Sequence, residues 1–279
     1  MLTFATLASG SSGNAALVGC AGTYILLDAG ISARRITTGL RALGVNPAQL
    51  SAILITHEHH DHISGLTVLT KQLRVPIFAS RPTCGELYRR IPFVEDLLHS
   101  QEPGQGIELG GLWVESFSTP HDASGSVGYS IAGGGRRVVL CTDLGHITPE
   151  VQRAVAGCDL LICEANHDED WVRSGPYPYY LKRRVLGDWG HLSNEAGAEL
   201  AALGVETGAQ AVVLAHLSAE NNTPARAREA ACRRLRAMGC DPERDIGLWV
   251  APRGEPGPVY RLGPTGGRVL LEEREGALC

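Results

Sequence analysis

The chain lacks any apolar run of 18 residues, which excludes a membrane-spanning helix, and it lacks a basic-then-apolar leader of the secretory kind. Both absences lead to the expectation of a cytoplasmic protein with no membrane partner. A Cys-x-x-Cys pair is also missing. The eight cysteines sit mostly within apolar runs, as at Cys141, Cys158 and Cys163, so buried thiols are expected rather than disulfides, with Cys279 free on a polar tail. Excess positive charge is absent too. The formal net charge of −5 argues against a surface coated for nonspecific nucleic-acid binding, while leaving room for a local basic track beside metal ions. No internal repeat is visible. What is present is 279 residues, 44% hydrophobic, enough to bury a large core. The 34 glycines and 15 prolines fall between recurring apolar runs and mark tight turns rather than disorder.

One stretch organises the rest: Ile53-Leu-Ile-Thr-His57-Glu-His59-His60-Asp61-His62-Ile-Ser-Gly65. A short apolar run, read as a buried strand, ends in four histidines and two acids, which folding alone does not require and metal binding does. In extended backbone, residues two apart point the same way, so His57 and His59 can share one ion. If Asp61 caps a helix over 62–73, Asp61 and His62 turn toward a second position. The spacing therefore offers two metal half-sites. Without metals, such a cluster would leave its polar groups unsatisfied.

Elsewhere the patterns alternate between strand and helix. Runs at 2–7, 15–18 and 24–27 read as a small antiparallel unit ending at Asp28. Its turn, Ser9-Gly10-Ser11-Ser12-Gly13-Asn14, is either a flexible hairpin or a cradle of amides and hydroxyls for a phosphate. Asp28 is either a turn residue or a carboxylate orienting a ligand histidine. Helices are expected over 32–43, 83–90, 149–156, 193–203 and 223–238. Strands are expected at 75–79, repeatedly between 104 and 134, and at 136–141, 159–163, 211–215, 246–251 and 259–262, with a polar tail from about 263. The stretch 171–184, carrying Trp171, Tyr177, Tyr179, Tyr180, Lys182, Arg183 and Arg184, is the only one both aromatic and basic. It reads either as a solvated surface loop or as a track for bases and phosphates. Together these elements predict one α/β domain over 1–279: an αββα sandwich of two mixed β-sheets flanked by helices, with metals at one edge.

The pattern His-x-His-x-Asp-His resembles the signature of the metallo-β-lactamase superfamily. That resemblance implies further ligands downstream, and Thr119-Pro-His121-Asp122, Leu140-Cys-Thr-Asp143 and Leu214-Ala-His216-Leu217 supply them in order. By the resemblance, His57, His59 and His121 form a first metal site, Asp61, His62 and His216 a second, and Asp143 bridges two divalent ions, Mn²⁺ or Zn²⁺. No cysteine stands at these positions, which disfavours a β-lactamase with a sulfur ligand. Two ions ~3.5–4 Å apart suit phosphodiester hydrolysis, because they stabilise attacking and leaving oxygens together. Asp61 is placed to orient or deprotonate the water as well as to bind metal.

Glu164-Ala and Gly190-His191-Leu-Ser193 resemble motifs of the tRNA-processing endonucleases of this superfamily, implying His191 as general acid and Glu164 as its orienting partner. Read alone, His191 is a histidine at a helix start. As a set, these motifs together with Ser9 to Asn14 and Glu164-Ala-Asn-His167-Asp168 resemble the bacterial YycJ type, also called WalJ or VicX. That resemblance implies a cytoplasmic exonuclease that takes DNA from its 5′ end with two divalent ions, in DNA repair. Candidate substrate contacts are then Ser11, Asn14, His167, Ser193, Lys182, Arg183 and Arg184. The 73 residues from Asp143 to His216 leave no room for an inserted cap domain. Two alternatives stay open: hydrolysis of a small or cyclic phosphodiester, and a metal-holding regulatory or adaptor protein with incidental turnover.

Overall fold

A computed structural model of the protein describes residues 1–263 and 267–272. Three apolar strands open it, β1 (Leu2–Ala8), β2 (Ala15–Cys20) and β3 (Thr23–Leu27), paired antiparallel because their connections are short. Helix α1 (Ala33–Ala42), capped by Ser32 accepting from the Arg35 N–H, then carries the chain across so that β4 (Leu50–Leu54) runs parallel to β3. The metal-box helices α2 (His60–Ile63) and α3 (Leu66–Gln72) follow. Next come β5 (Ile77–Ala79), α4 (Arg81–Arg90) and β6 (Leu98–Ser100), again with parallel pairing.

The second sheet repeats this logic. Strands β7 (Gly106–Leu109), β8 (Leu112–Ser118), β9 (Val127–Gly133) and β10 (Arg136–Cys141) form an antiparallel meander. After α5 (Pro149–Val155), strand β11 (Leu160–Glu164) joins β10 in parallel. Helices α6 (Glu169–Ser174), α7 (Tyr179–Val185) and α8 (Asn194–Glu206) lead to β12 (Ala211–Ala215), and α9 (Pro224–Ala237) leads to β13 (Gly247–Val250). Finally β14 (Val259–Leu262) and β15 (Val269–Glu272) return to the first sheet beside β1.

The sheet orders are β15-β14-β1-β2-β3-β4-β5-β6 and β13-β12-β11-β10-β9-β8-β7. Phe4, Val18, Ile25 and Leu54 of the first meet Tyr129, Ile131, Leu160 and Val213 of the second in a shared core. The outer faces are covered by α1, α3 and α4, through Ile36, Leu40 and Leu69, and by α5, α8 and α9, through Val155, Leu200 and Leu235. Each such side chain removed from water contributes about 1.5–3 kcal/mol. The result is the αββα sandwich. Both sheets change from antiparallel to parallel midway, and ligands in such sheets bind beyond the carboxyl ends of the parallel strands.

Three local expectations change. The single helix over 62–73 is two, divided near Gly65, where an added Cβ would meet the Ile31 carbonyl oxygen at 2.0 Å. Asp61 therefore lies in the first turn of α2 rather than capping it; His59 holds the N-cap position, without a side-chain capping bond. Residues 171–184 are not a loop but mostly the helices α6 and α7. The tail from 263 is not uniformly polar coil, since Val269 and Leu271 alternate toward the core and pair β15 with Leu262 and Tyr260 of β14. Cys279 lies outside the described residues. The seven cysteines within them are free thiols, Cys141, Cys158 and Cys163 all buried.

Candidate metal centre

The carboxyl ends of β3, β4, β10, β11 and β12 bring Asp28, His57, Asp143, Glu164 and His216 to one edge. Three of these, Asp28, Asp143 and His216, adopt left-handed backbone with φ of 57°, 62° and 57°. Asp and His tolerate that region better than bulky residues, yet each instance costs on the order of 1–3 kcal/mol. Strain at three strand ends turns three side chains inward. The surroundings hold it: the Asp28 amide donates to Leu54 at 2.8 Å, and the His216 amide to Ser9 Oγ at 3.0 Å.

On one side, His57 Nδ1 lies 3.0 Å from Thr56 Oγ1, and its buried Nε2 has no hydrogen-bond partner. His59 Nδ1 and His121 Nε2 are 3.2 Å apart, while His121 Nδ1 is 3.0 Å from the Gly190 carbonyl oxygen, which fixes its ring. On the other side, His62 Nε2 stands 3.5 Å from Asp61 Oδ2 and 3.4 Å from Asp143 Oδ2, and His216 Nε2 stands 3.5 Å from Asp61 Oδ2. For a tetrahedral ion with ligands at about 2.1 Å, donor atoms stand ~3.4 Å from one another. Asp143 Oδ2 is buried without a hydrogen-bond partner, and its Oδ1 lies 3.7 Å from His121 Nε2, so this carboxylate reaches both sides.

Charge makes the same point. Among the described residues, the ion pairs of Asp28, Asp61, Asp143 and Glu164 are all with histidines. Burial alone would raise Asp61, but His62 and His216 outweigh it and hold the carboxyl far below the usual range. Burial alone would lower His216, but Asp143, Asp61 and Glu164 push it up to about 10. His57, by contrast, is driven well below its ordinary value by burial and by its neighbours His62 and His121. The acids pull protons onto two imidazoles, a charge that divalent cations would supply instead. Orphaned donors, their spacing and this acid excess all fit a pair of metal ions.

His62, His216 and His191 are oriented from behind by carboxylates. Asp28 Oδ2 lies 2.8 Å from His62 Nδ1 and also accepts from Thr56, so the orienting reading of Asp28 is the one its geometry carries. Glu164, fully buried, places Oε1 at 2.7 Å from His216 Nδ1 and 2.9 Å from His191 Nδ1, and its Oε2 accepts from the Leu144 and Leu192 amides. Both histidines thus keep Nε2 for the site. Thr56 and the doubled role of Glu164 carried no sequence signal.

A cleft of about 360 Å³ opens over these groups. Ser11 and Arg184 line it, as does Tyr177 of the aromatic-basic stretch, together with Asn166, Ser218 and Asn221, which sequence reasoning did not single out as substrate contacts. The remaining candidate contacts fall elsewhere. His167 is 1% exposed and pairs through its backbone with Ser193, so it does not reach the cleft. Ser193 is spent as the N-cap of α8, accepting from the Ala196 N–H. Asn14 braces the metal box, with its amide oxygen on the Gly10 N–H and its amide nitrogen 3.1 Å from His62 Nε2. The Gly10, Gly13 and Asn14 amides are bonded within the fold, so these residues brace the metal box, while Ser11 at the loop's tip faces the cleft. Lys182 donates to the Arg173 carbonyl at 2.6 Å, and neither it nor Arg183 lines the cleft, because helical periodicity turns only Leu181, Arg184 and Val185 inward. Arg184 forks onto Asp122, Nη2 to Oδ1 at 3.1 Å, beside His121.

Residues 23–217 match the family described as the β-lactamase superfamily domain. The chain belongs to the β-lactamase superfamily. Within that superfamily it is 35% identical, over 241 residues, to the exodeoxyribonuclease YycJ of Bacillus anthracis, covering 85% of this chain and 90% of the relative. It is 37% identical, over 223 residues, to the exodeoxyribonuclease WalJ of Streptococcus pneumoniae, covering 78% and 82%. The Zn²⁺-bound structure of PqqB from Methylobacterium extorquens superposes with a TM-score of 0.68 over 91% of this chain and 99% of that one, at 19% identity, which establishes the shared superfamily fold. No described helix is long and apolar enough to cross a membrane.

Proposed function

We propose that this protein is a metal-dependent exodeoxyribonuclease that removes nucleotides from the 5′ ends of DNA in repair, with two divalent ions, Mn²⁺ or Zn²⁺. The observation that carries the reading is the convergence of His62, Asp61, His216 and Asp143 at 3.4–3.5 Å beside a second histidine cluster, in a chain 35–37% identical over most of its length to exodeoxyribonucleases. His57, His59 and His121 would hold one ion, Asp61, His62 and His216 the other, and Asp143 both. Bound there, divalent ions supply Lewis acidity to phosphate oxygens and lower the pKa of water.

The protein's own groups do the rest. Asp61, the least buried of the clustered acids, stays ionised and orients the attacking water through a hydrogen bond to its carboxylate. His191 is 18% exposed on the cleft, and with Nδ1 engaged by Glu164 its Nε2 gives a proton to the departing sugar oxygen. Glu164 stabilises the imidazolium before transfer, since its carboxyl stays ionised. Arg184, held by Asp122, supplies a guanidinium to the flanking phosphate.

The test is metal-stripped protein reloaded with Mn²⁺ or Zn²⁺ and given duplex DNA labelled at one 5′ end. Early release of the label as mononucleotide, abolished in Asp61→Ala with an unchanged circular dichroism spectrum, is the expected result. Internal cleavage alone, or equal activity in Asp61→Ala, rejects the reading.

A further inference from the structure

Helix α7 has no buried residue, yet it forms one wall of the metal cleft. Besides Arg184, the residues it presents there are apolar, which a phosphate would not select. Tyr177, just ahead of the helix, and Leu181 and Val185, one turn apart on it, recur at a spacing of four and make an apolar stripe along the cleft. The Tyr177 ring is half-buried and shares the cleft lining with Ser218 and Asn221. The neutral hydrogen-bonding side chains Ser11 and Asn166 share this lining with the clustered histidines and acids. A half-buried ring with two aliphatic side chains, in a lining that also offers neutral polar groups, suits the face and edge of a nucleobase.

Resting on the phosphodiesterase reading, we propose that the cleft is a pocket for a single unpaired nucleoside, in which the stripe Tyr177, Leu181 and Val185 receives the terminal base while its phosphate lies over the metal donors. At about 360 Å³ the cleft is near the lower limit of small-ligand sites, room for one nucleotide and not for two. A base seated against this stripe has left its partner strand. Ends that are already open escape the cost of unpairing, so the enzyme discriminates between paired and frayed termini.

The experiment compares KM for methyl p-nitrophenyl phosphate with KM for the 3′- and 5′-p-nitrophenyl phosphates of thymidine, using Mn²⁺-loaded protein. In parallel, removal of the terminal nucleotide is timed on duplexes whose last two base pairs are either G·C or mismatched. The expected result is a KM about ten- to a hundred-fold lower for at least one nucleoside ester, an advantage collapsing in Leu181→Ser and in Val185→Ser, together with roughly ten-fold faster attack on mismatched ends. Two variants at half-buried positions, each checked for native circular dichroism, guard against a folding artefact. Equal KM for all three esters in the wild type, or equal rates on matched and mismatched ends, overturns the pocket. DNA hydrolysis without nucleoside preference would leave the exonuclease reading standing and remove this inference; nucleoside preference without DNA hydrolysis would do the reverse.

Discussion

Glu164 Oε1 lies 2.7 Å from His216 Nδ1. The same oxygen lies 2.9 Å from His191 Nδ1, so one buried carboxylate fixes the tautomer of both imidazoles. Under the roles proposed for His216 and His191, metal affinity and leaving-group protonation would be joined in one residue.

Glu164→Gln should uncouple them. The amide keeps the shape but offers only one acceptor oxygen where four hydrogen bonds converge. Affinity for the second ion, followed by titration calorimetry, should fall about 10- to 100-fold. If binding and DNA hydrolysis both stay at wild-type levels, Glu164 is merely structural.

His191→Gln isolates the proton-transfer role. DNA hydrolysis, which expels a sugar oxygen, should slow by about 10²–10⁴, whereas bis-p-nitrophenyl phosphate, whose phenolate departs without protonation, should lose far less. An equal loss on both substrates would falsify the assignment of His191 as general acid.

The basic triplet of α7 should divide. Arg184 lines the cleft, so Arg184→Ala should raise KM for every phosphodiester, small ones included. Lys182 and Arg183 do not line it, so replacing both by Ala should lessen the salt dependence of DNA affinity by about one logarithmic slope unit each, with small-diester KM unmoved. Identical salt slopes for the double variant and the wild type would remove these two residues from any DNA track.

Gly30→Ala tests the frame of the box. A Cβ at Gly30 would sit 1.6 Å from the Asp61 carbonyl oxygen, which also accepts from the Asn14 amide. The substitution should cost about 2–4 kcal/mol in urea unfolding and displace Asp61 from the second ion. Gly85→Ala, in α4 with open space around it, should instead stabilise by about 0.5–1 kcal/mol. Comparable effects of the two would show that contact at Gly30 does not govern the site.

Much of this was legible in the chain itself. His57 and His59 share a direction because extended backbone alternates, and the strands around Asp28, Asp143 and His216 announced themselves as short apolar runs. Such features depend on neighbours within a few residues, so local geometry expresses them. The layered fold followed from the same periodicity. Yet the helix starts at His60, one residue before Asp61, and it divides where the Ile31 carbonyl from another loop packs against Gly65, which spacing along the chain does not show.

What only the tertiary structure decided is which groups stand behind the imidazoles and which face the cleft. Asp28 meets His62, 34 residues on; Glu164 meets His191 and His216, 27 and 52 residues on; Asp122 meets Arg184, 62 residues on. His167 and Ser193, plausible contacts when read along the chain, are turned into the fold by the bridge between them, while Tyr177, Asn166 and Asn221 are turned out. The sequence by itself determined the donors and their order, because coordination chemistry demands particular side chains at short spacings. Their orientation was decided by how two sheets meet at one edge, because a hydrogen bond between residues dozens of positions apart exists only once the strands that carry them are packed.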